Sequence, residues 1–161
     1  MQVLWAPWRM AYIGGPRQPG CIFCNALDTA DRRGHLVLAR EPAIVMLNKF
    51  PYSSGHLLVA PRRHAGHLRE LPAEEFRILM DTLHKSATVL SDAVRAEGLN
   101  LGMNMGAAAG AGVTDHLHWH IVPRWNGDTN FMPMLADVRV IPEHLETMYD
   151  RLQPLFDAIT W

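Results

Sequence analysis

An alternating segment near residue 120 constrains the fold of this chain more than any other feature. It reads His116-Leu-His118-Trp-His120-Ile-Val, so polar and apolar side chains alternate with a period of two. Because side chains at every second position of a strand share one face, we expect a strand over 116–122 with the three histidines together. The opposite face of this strand is expected to pack into a core through three apolar residues: Leu117, Trp119 and Ile121.

The remaining periodic segments divide into short strands and two long helices. Short apolar runs bounded by turn residues predict four further strands, over 35–39, 43–47, 56–60 and 99–105. Apolar residues that recur every three or four positions predict two helices, over 72–97 and 142–159. Gly98 is expected to end the first helix, and residues 25–34 suit a short helix or a loop. Strands that are grouped, rather than alternating with helices, indicate an α+β fold with a five-stranded antiparallel sheet.

Length and composition limit the class of protein. The 161 residues suit one domain, so we treat 1–161 as a single unit with an irregular, aromatic-rich arm over 1–20. A net charge of -1 argues against a broad nucleic-acid surface, which needs a basic face. No segment approaches the roughly 20 apolar residues of a membrane helix, and the first residues lack a signal-peptide layout. We therefore expect a cytoplasmic protein whose partners include neither a membrane nor nucleic acid.

The histidine face can be interpreted in three ways. Neighbouring imidazoles cannot all be protonated cheaply, so they stay largely neutral, as a nucleophile or a metal ligand must be. We favour nucleophilic catalysis by one histidine over a three-histidine metal site or a solvated polar face. A glycine-rich segment, Gly106-Ala-Ala-Ala-Gly110-Ala-Gly112, precedes the strand, and successive backbone N–H groups in such a loop bind anions. Together these features suggest phosphoryl chemistry.

Both cysteines lie in one tetrapeptide, Cys21-Ile-Phe-Cys24. In a reducing compartment so close a pair indicates metal binding or redox chemistry before a structural disulfide. One pair supplies only half of a tetrahedral metal site, so two further ligands are needed. The nine histidines of the chain could supply them.

At these residues the sequence resembles the histidine triad superfamily, whose signature is His-x-His-x-His followed by apolar residues. The segment from Asn48 through Pro61, which ends in Gly55-His-Leu-Leu-Val-Ala-Pro61, resembles that family's first nucleotide-binding strand pair. Asn104-Met-Gly106 with the following loop resembles its phosphate loop. Longer motifs resemble one branch, the bacterial diadenosine tetraphosphate phosphorylases. They are Leu4-Trp-Ala-Pro-Trp-Arg9, the cysteine tetrapeptide, and Gly127-Asp-Thr-Asn-Phe-Met-Pro133.

The resemblance implies an enzyme that cleaves adenine dinucleoside polyphosphates such as diadenosine tetraphosphate (Ap4A). His118 would attack the α-phosphorus and form a nucleotidyl-histidine intermediate, while His120 would stabilise the phosphate charge or protonate the leaving group. Asn48 would bind ribose and Asn104 the phosphates. Backbone N–H groups of five residues would add electrostatic stabilisation: Gly110, Ala111, Gly112, Val113 and Thr114. The resemblance favours inorganic phosphate over water as the second acceptor.

The resemblance also implies a quaternary structure. At one position the sequence departs from the pattern of the family. The sheet would carry its helices on one side, and two sheets would join across a homodimer or a larger homo-oligomer. Many family members have Ser or Thr five residues before the nucleophile, where this chain has Val113. Thr114, the next residue, is expected to take over the contact of that hydroxyl group.

A structural zinc ion is a further implication of the resemblance. Zinc-carrying members would place its ligands at four positions of this chain: Cys21, Cys24, His64 and His116. The alternative is two free buried thiols with His64 as a surface residue. If His116 shares a strand face with His118, the metal must lie at the end of the strand, or the strand must bulge. His56 is interpreted as structural rather than catalytic.

Three other functions stay open from the sequence alone. The first is a nucleoside phosphoramidate or dinucleotide hydrolase of the same superfamily. The second is a nucleotide-binding sensor with little turnover. The third is a zinc hydrolase in which the histidines hold a catalytic metal, and in that case metal and activity would be lost together.

Overall fold

The computed structural model describes residues 20–128 and 144–161. Three helices and five strands lie in these ranges, together with 3-10 turns at Leu68–Glu70 and Ala107–Ala109. In chain order they are α1 (Ile22–Asp28), β1 (Val37–Ala39), β2 (Ile44–Leu47), β3 (Leu57–Ala60), α2 (Ala73–Val94), β4 (Gly98–Met103), β5 (Trp119–Arg124) and α3 (Leu145–Asp157).

The five strands form one antiparallel sheet in the order β1-β2-β3-β5-β4, which confirms the predicted α+β class. β5 lies between β3 and β4, and β1 and β4 are the two edges. The register pairs His120 with Leu58 on one side and with Gly102 on the other. Because paired residues share a face, this register decides which side chains surround the third histidine of the alternating segment.

One face of the sheet is covered by α2 and α3. Leu79 and Leu90 of α2 and Leu152 of α3 are fully buried in the main core, which also contains the strand residues Val59 and Ile121. Two glutamates in the first turn of α2 suit the positive end of the helix dipole. Burial of each such aliphatic side chain stabilises the fold by about 1.5–3 kcal/mol, so the two helices hold the sheet in place.

The other face carries a second, smaller core against α1. Phe23 and Ala26 of this helix are fully buried, and they pack with strand residues such as Ile44 and Leu58. Adjacent residues of one strand therefore face different cores, as the alternation of a pleated strand requires. The expectation that all helices lie on one side of the sheet is wrong for α1, whose short apolar stripe finds its burial on the opposite face.

Helix α2 ends earlier than its periodicity predicts. It spans Ala73–Val94, and Arg95 follows in the left-handed conformation with φ 51°. The N–H of Ala96 bonds to the carbonyl of Ser91 at 3.0 Å and closes the last turn. Arg95 thus takes the capping role that the sequence assigns to Gly98, and Gly98 instead begins β4.

Strand β5 begins three residues later than predicted and continues through Pro123. Leu117, before the strand, donates its N–H to the carbonyl of Ala65 at 2.7 Å, so the chain pairs with the loop after β3 instead of with a strand. Pro123 pairs with Leu99 of β4. β3 pairs with β5 only as far as Ile121, so Pro123 lies where one side of the strand is open, a position that tolerates proline.

The other predicted elements match with shifted ends. The C-terminal helix is α3, and α1 lies partly within the segment for which a short helix or a loop is predicted. The predicted arm falls on residues 1–19, which are outside the described residues, as is most of the predicted loop over 126–134. Among the described helices, none is both long and apolar enough to cross a membrane.

Candidate active site

His118 lies just before β5 and is 5% exposed. Its Nδ1 is 2.9 Å from the backbone carbonyl oxygen of His116. A carbonyl oxygen only accepts hydrogen bonds, so Nδ1 carries the proton and Nε2 keeps its lone pair. Burial lowers the pKa of His118, against the opposing effect of that backbone hydrogen bond. The ring is therefore a neutral imidazole in the tautomer that a nucleophilic Nε2 requires.

Two successive hydrogen bonds fix the opposite tautomer on His120. The backbone N–H of Tyr52 donates to Nδ1 of His56 at 3.1 Å, so His56 carries its proton on Nε2. That Nε2 is 2.9 Å from Nδ1 of His120 and donates to it. His120 therefore carries its own proton on Nε2, where it can donate to a phosphate oxygen or to a leaving group.

Burial, with a smaller contribution from the charge of His118, lowers the pKa of His120 to about 4. The ring of His120 lies 5.0 Å from that of His118, with an interplanar angle of 67°. Protonating either ring would place a charge beside the other in a partly dry site. Both rings therefore stay neutral at neutral pH, with a lone pair on one Nε2 and a proton on the other.

His56, which the sequence interpretation treats as structural, is hydrogen-bonded to His120. Its side chain is fully buried, and it connects the loop at Tyr52 to His120. Asn48 is part of the same arrangement, because its Nδ2 lies 3.3 Å from Nδ1 of His56. His56 immediately precedes β3, and β3 pairs with β5, so His56 comes close to His120. The sequence predicts strand β3 but not its pairing with β5, so the local pattern alone could not indicate this contact.

The two asparagines assigned to the nucleotide lie at different places. Asn48 follows β2, and its Oδ1 accepts the N–H of Phe50 at 2.9 Å. Asn104 directly follows Met103, whose partner Trp119 directly follows His118. Asn104 therefore lies at the end of the sheet where His118 lies, while Asn48 is held beside His56.

The glycine-rich loop turns tightly before it reaches the histidines. Gly106 and Gly110 have φ of 83° and 85°, which glycine alone adopts without strain. The N–H groups of Gly110 and Ala111 bond to carbonyls inside the turn. Within the described ranges, the next three N–H groups donate to no protein acceptor, and they are therefore the better anion donors: Gly112, Val113 and Thr114.

Val113 and Thr114 differ in their surroundings. Val113 packs against the second core, beside Phe23, whereas Thr114 is exposed. The valine side chain thus fills apolar space at the position where many relatives of the superfamily carry a hydroxyl group. This leaves Thr114 with the hydroxyl group nearest in sequence to that position.

The site is an open face of the sheet rather than an enclosed cavity. A Cβ atom built on Gly102, the partner of His120 on β4, meets nothing within 4 Å. A hollow of about 440 Å³ lies elsewhere, lined by residues that include Pro61, Arg63 and Ile78 but no histidine. Among the described residues, the histidines therefore form the candidate site, with a lone pair on His118 and a donor on His120.

Four side chains from separate parts of the chain form a second cluster: Cys21, Cys24, His64 and His116. Their potential ligand atoms all lie within 4.8 Å of one another. The Cys21 Sγ to His116 Nδ1 distance is 3.2 Å, and Cys24 Sγ lies 3.3 Å from Nδ1 of His64 and 3.8 Å from that of His116. A zinc tetrahedron with ordinary bond lengths needs sulfur–nitrogen separations of about 3.5 Å. The donor set and its spacing fit zinc.

The surroundings of His116 suit a ligand. Its Nε2 is 2.9 Å from the carbonyl oxygen of Pro61, so Nε2 carries the proton and Nδ1 presents its lone pair to the cluster. Burial lowers the pKa of His116, which keeps the ring neutral. Burial and neighbouring Cys21 raise the pKa of the Cys24 thiol, and a bound cation would reverse that shift by stabilising the thiolate.

The three histidines of the alternating segment do not converge on one point. His116 lies before β5 and its Nδ1 approaches Cys21, so a metal bound there would need no bulge within the strand. His118 is bonded to a backbone carbonyl and His120 to His56. This arrangement contradicts a three-histidine metal site, and it separates the metal cluster from the proposed nucleophile.

Comparison with known proteins shows the family to which this chain is related. A Mycobacterium tuberculosis AP-4-A phosphorylase is 35% identical over 90% of this chain and 79% of that protein. An adenosine 5'-monophosphoramidase of Schizosaccharomyces pombe is 28% identical over 82% of this chain and 95% of that protein. The crystal structure of a zinc-bound histidine triad family protein from Mycobacterium smegmatis matches with a TM-score of 0.66, at 26% identity.

That crystal structure covers 86% of this chain, which in turn covers 94% of that one. The family model described as the HIT domain matches residues 30–127, which include both His56 and the alternating histidines. The resemblance to the diadenosine tetraphosphate phosphorylases is thus confirmed at the level of sequence similarity. The chain belongs to the HIT domain family, the histidine triad superfamily that its motifs resemble.

Proposed function

We propose that the chain is an enzyme that cleaves adenine dinucleoside polyphosphates such as Ap4A by nucleotidyl transfer through His118, with inorganic phosphate as acceptor. One observation carries the proposal: the bond from His118 Nδ1 to the carbonyl of His116, which leaves Nε2 as a buried neutral nucleophile. The similarity to an AP-4-A phosphorylase supports the substrate class.

The chemistry divides into two displacements. Nε2 of His118 forms a bond to the α-phosphorus, and the bond from that phosphorus to the leaving nucleotide's oxygen breaks. The Nε2–H of His120 donates a hydrogen bond to the leaving oxygen and keeps its proton, while that oxygen, which takes the bonding electron pair, departs for Ap4A as the ATP anion. Phosphate then attacks the adenylyl-histidine, the phosphorus–nitrogen bond breaks, and ADP is released with His118 restored.

Further contacts to the nucleotide are proposed from the positions of the glycine-rich loop and the two asparagines. N–H groups of Gly112, Val113 and Thr114 would hold the charge that develops on the phosphoryl oxygens. Asn104 would contact the phosphates from the end of β4, and Asn48 the ribose. Asn48 already bonds to Phe50 and approaches His56, so a ribose contact would use the capacity that remains on its amide.

We also propose that the Cys21, Cys24, His64 and His116 cluster holds a structural zinc ion. Four protein ligands close a tetrahedral site and leave no open position, which is the structural rather than the catalytic arrangement. The ion would tie α1 to the loop after β3 and to the segment before β5. Thiolate ligands persist in a reducing compartment, which agrees with the prediction of a cytoplasmic protein.

A homodimer through β4 completes the proposal. β4 is an edge strand, and its Leu101 is 49% exposed. An exposed edge with an apolar side chain is a template for another strand, and a second copy of β4 would satisfy its backbone groups. Two sheets would then join into one, as the resemblance implies.

Product analysis with Ap4A, with and without inorganic phosphate, tests the function. Phosphate-dependent ADP plus ATP would establish the phosphorylase, and AMP plus ATP without phosphate would identify a hydrolase with the same intermediate. His118→Ala should abolish turnover while zinc stays bound, whereas a zinc hydrolase would lose both together. His84→Ala, at an exposed position of α2, is the matched control.

A phosphoramidate hydrolase is the second candidate. The similarity to an adenosine 5'-monophosphoramidase favours it, and the pair His118 and His120 acts on the α-phosphorus whatever group departs. If Ap4A yields no product and adenosine 5'-phosphoramidate yields AMP, this candidate replaces the first. Nucleotide binding without product from either substrate would identify a sensor.

A further inference from the structure

Phe23 lies between the two cysteines of the metal cluster and also contacts the proposed nucleophile. Its ring centroid is 4.9 Å from that of His116 and 5.0 Å from that of His118, at interplanar angles of 45° and 33°. The side chain is fully buried. One aromatic ring therefore touches a cluster ligand and the nucleophile at distances typical of interacting rings.

The helix that carries Phe23 is short and depends on tertiary contacts to stay folded. α1 has seven residues, and no side chain caps its start at Cys21. Isolated helices of this length do not persist in water, so tertiary contacts must hold it. Within α1 only Phe23 and Ala26 are fully buried, and Ile22 and Leu27 pack partly against the same core. Cys24 and the preceding Cys21 belong to the metal cluster. Because Phe23 lies between Cys21 and Cys24 in sequence, a metal ion bound by these cysteines would restrict the position of the Phe23 ring.

The ring of His118 needs positioning beyond its single hydrogen bond. The bond from Nδ1 to the carbonyl of His116 fixes the tautomer, but the ring can still tilt about that bond. Its aromatic neighbours are Phe23 and His120, whose centroids each lie 5.0 Å away. In-line attack requires Nε2 to point at the phosphorus, and small misplacements slow such steps strongly.

We propose that Phe23 is a positioning residue that couples the Cys21, Cys24, His64 and His116 cluster to the ring of His118. Metal binding fixes both ends of the Cys21 to Cys24 segment, which presses the Phe23 ring against His118 and keeps Nε2 aimed at the substrate. The inference rests on the proposed nucleotidyl transfer for its kinetic consequence, but the ring contact itself does not depend on it.

Phe23→Leu tests the coupling, with Phe156→Leu as the matched control. Phe156 is also a buried phenylalanine in a helix, but it belongs to the main core and not to the second core that contains Phe23. Both variants should lose similar thermal stability and retain one zinc ion per chain. Only Phe23→Leu should slow formation of nucleotidyl-His118 at saturating Ap4A, by about tenfold, with KM little changed.

A spectroscopic measurement tests the contact without turnover. Two-bond ¹H–¹⁵N spectra report the ring of His118, whose signals are assigned by comparison with His118→Asn. Coupling predicts that metal chelation and Phe23→Leu displace these signals in the same direction, and that chelation adds little to Phe23→Leu. Phe156→Leu should leave them in place.

Two results would overturn the inference: His118 signals and rates in Phe23→Leu that match those of Phe156→Leu, or equal displacement by chelation in wild type and Phe23→Leu. If chelation unfolds the chain, the comparison of the two zinc-loaded variants decides alone. If wild type forms no nucleotidyl-histidine, the proposed function fails, and the spectra still decide the role of Phe23.

Discussion

His56 Nε2 donates to His120 Nδ1 across 2.9 Å, between the segment before β3 and strand β5. The backbone N–H of Tyr52 sets the direction of this bond by occupying the other nitrogen of His56. The backbone N–H of Tyr52 therefore determines, through His56, which nitrogen of His120 carries the proton. If the proposed reaction uses His120, His56 is expected to act on it through His120, as a positioning residue.

His56→Ala should lower kcat by about 10- to 100-fold and change KM little, because it removes the donor that fixes the tautomer of His120. His56→Gln should recover part of the loss, since its amide nitrogen can reach a similar position and donate. Steady-state kinetics across pH 5–9 would check this. A purely structural role would give equal losses in both variants, in proportion to their loss of stability.

The low pKa of His120, about 4, predicts acid sensitivity of the fold. The unfolded chain binds a proton near pH 6.5, whereas the folded chain keeps His120 neutral to about pH 4. The free energy of unfolding therefore falls as pH drops below 6.5. Between pH 7.5 and 5.5 this group alone should cost about 1 kcal/mol after solvent screening.

Urea unfolding of wild type and His120→Gln at both pH values measures this difference. The variant lacks the titrating ring, so its stability should depend less on pH than that of wild type. An equal pH dependence in the two proteins would show that other groups account for the acid sensitivity.

The sequence predicts which side chains of β5 share a face more accurately than it predicts where the strand begins and ends. Alternation correctly separates Leu117 and Ile121 from the histidine side, because a pleated strand permits only two directions. It does not predict that His116 leaves the strand, since a bond from Leu117 to Ala65 sets the start of β5. Likewise the cluster joins residues 95 positions apart, and only the family resemblance anticipates it.

Gly102→Val should weaken nucleotide binding without destabilising the fold. A Cβ atom at this position meets no neighbour, and valine suits a strand, so folding does not oppose the change. The new side chain would occupy the open face opposite His120. Gly98→Val, at the other end of β4, is the control, and calorimetric titration with a non-hydrolysable Ap4A analogue is the measurement. Unchanged affinity in Gly102→Val would place the substrate elsewhere.

Cys24→Ser should remove bound zinc and destabilise the fold by more than about 3 kcal/mol, because the binding free energy of a structural metal adds to that of folding. Elemental analysis and thermal unfolding measure the two effects. His84→Ala should show neither. Since thiols must lose protons to bind zinc, affinity should also fall with decreasing pH. Full metal content in Cys24→Ser would remove this residue from the ligand set.

Leu101→Glu should prevent the proposed homodimer from forming and leave a monomer. Leu101 is 49% exposed on edge strand β4, and a charge there disfavours strand addition between two copies. Leu155→Glu, at an exposed position of α3, controls for the loss of one surface leucine. Light scattering should give about twice the 18.1 kDa chain mass for wild type and Leu155→Glu, and the single mass for Leu101→Glu. A dimer in Leu101→Glu would assign the contact to a surface other than β4.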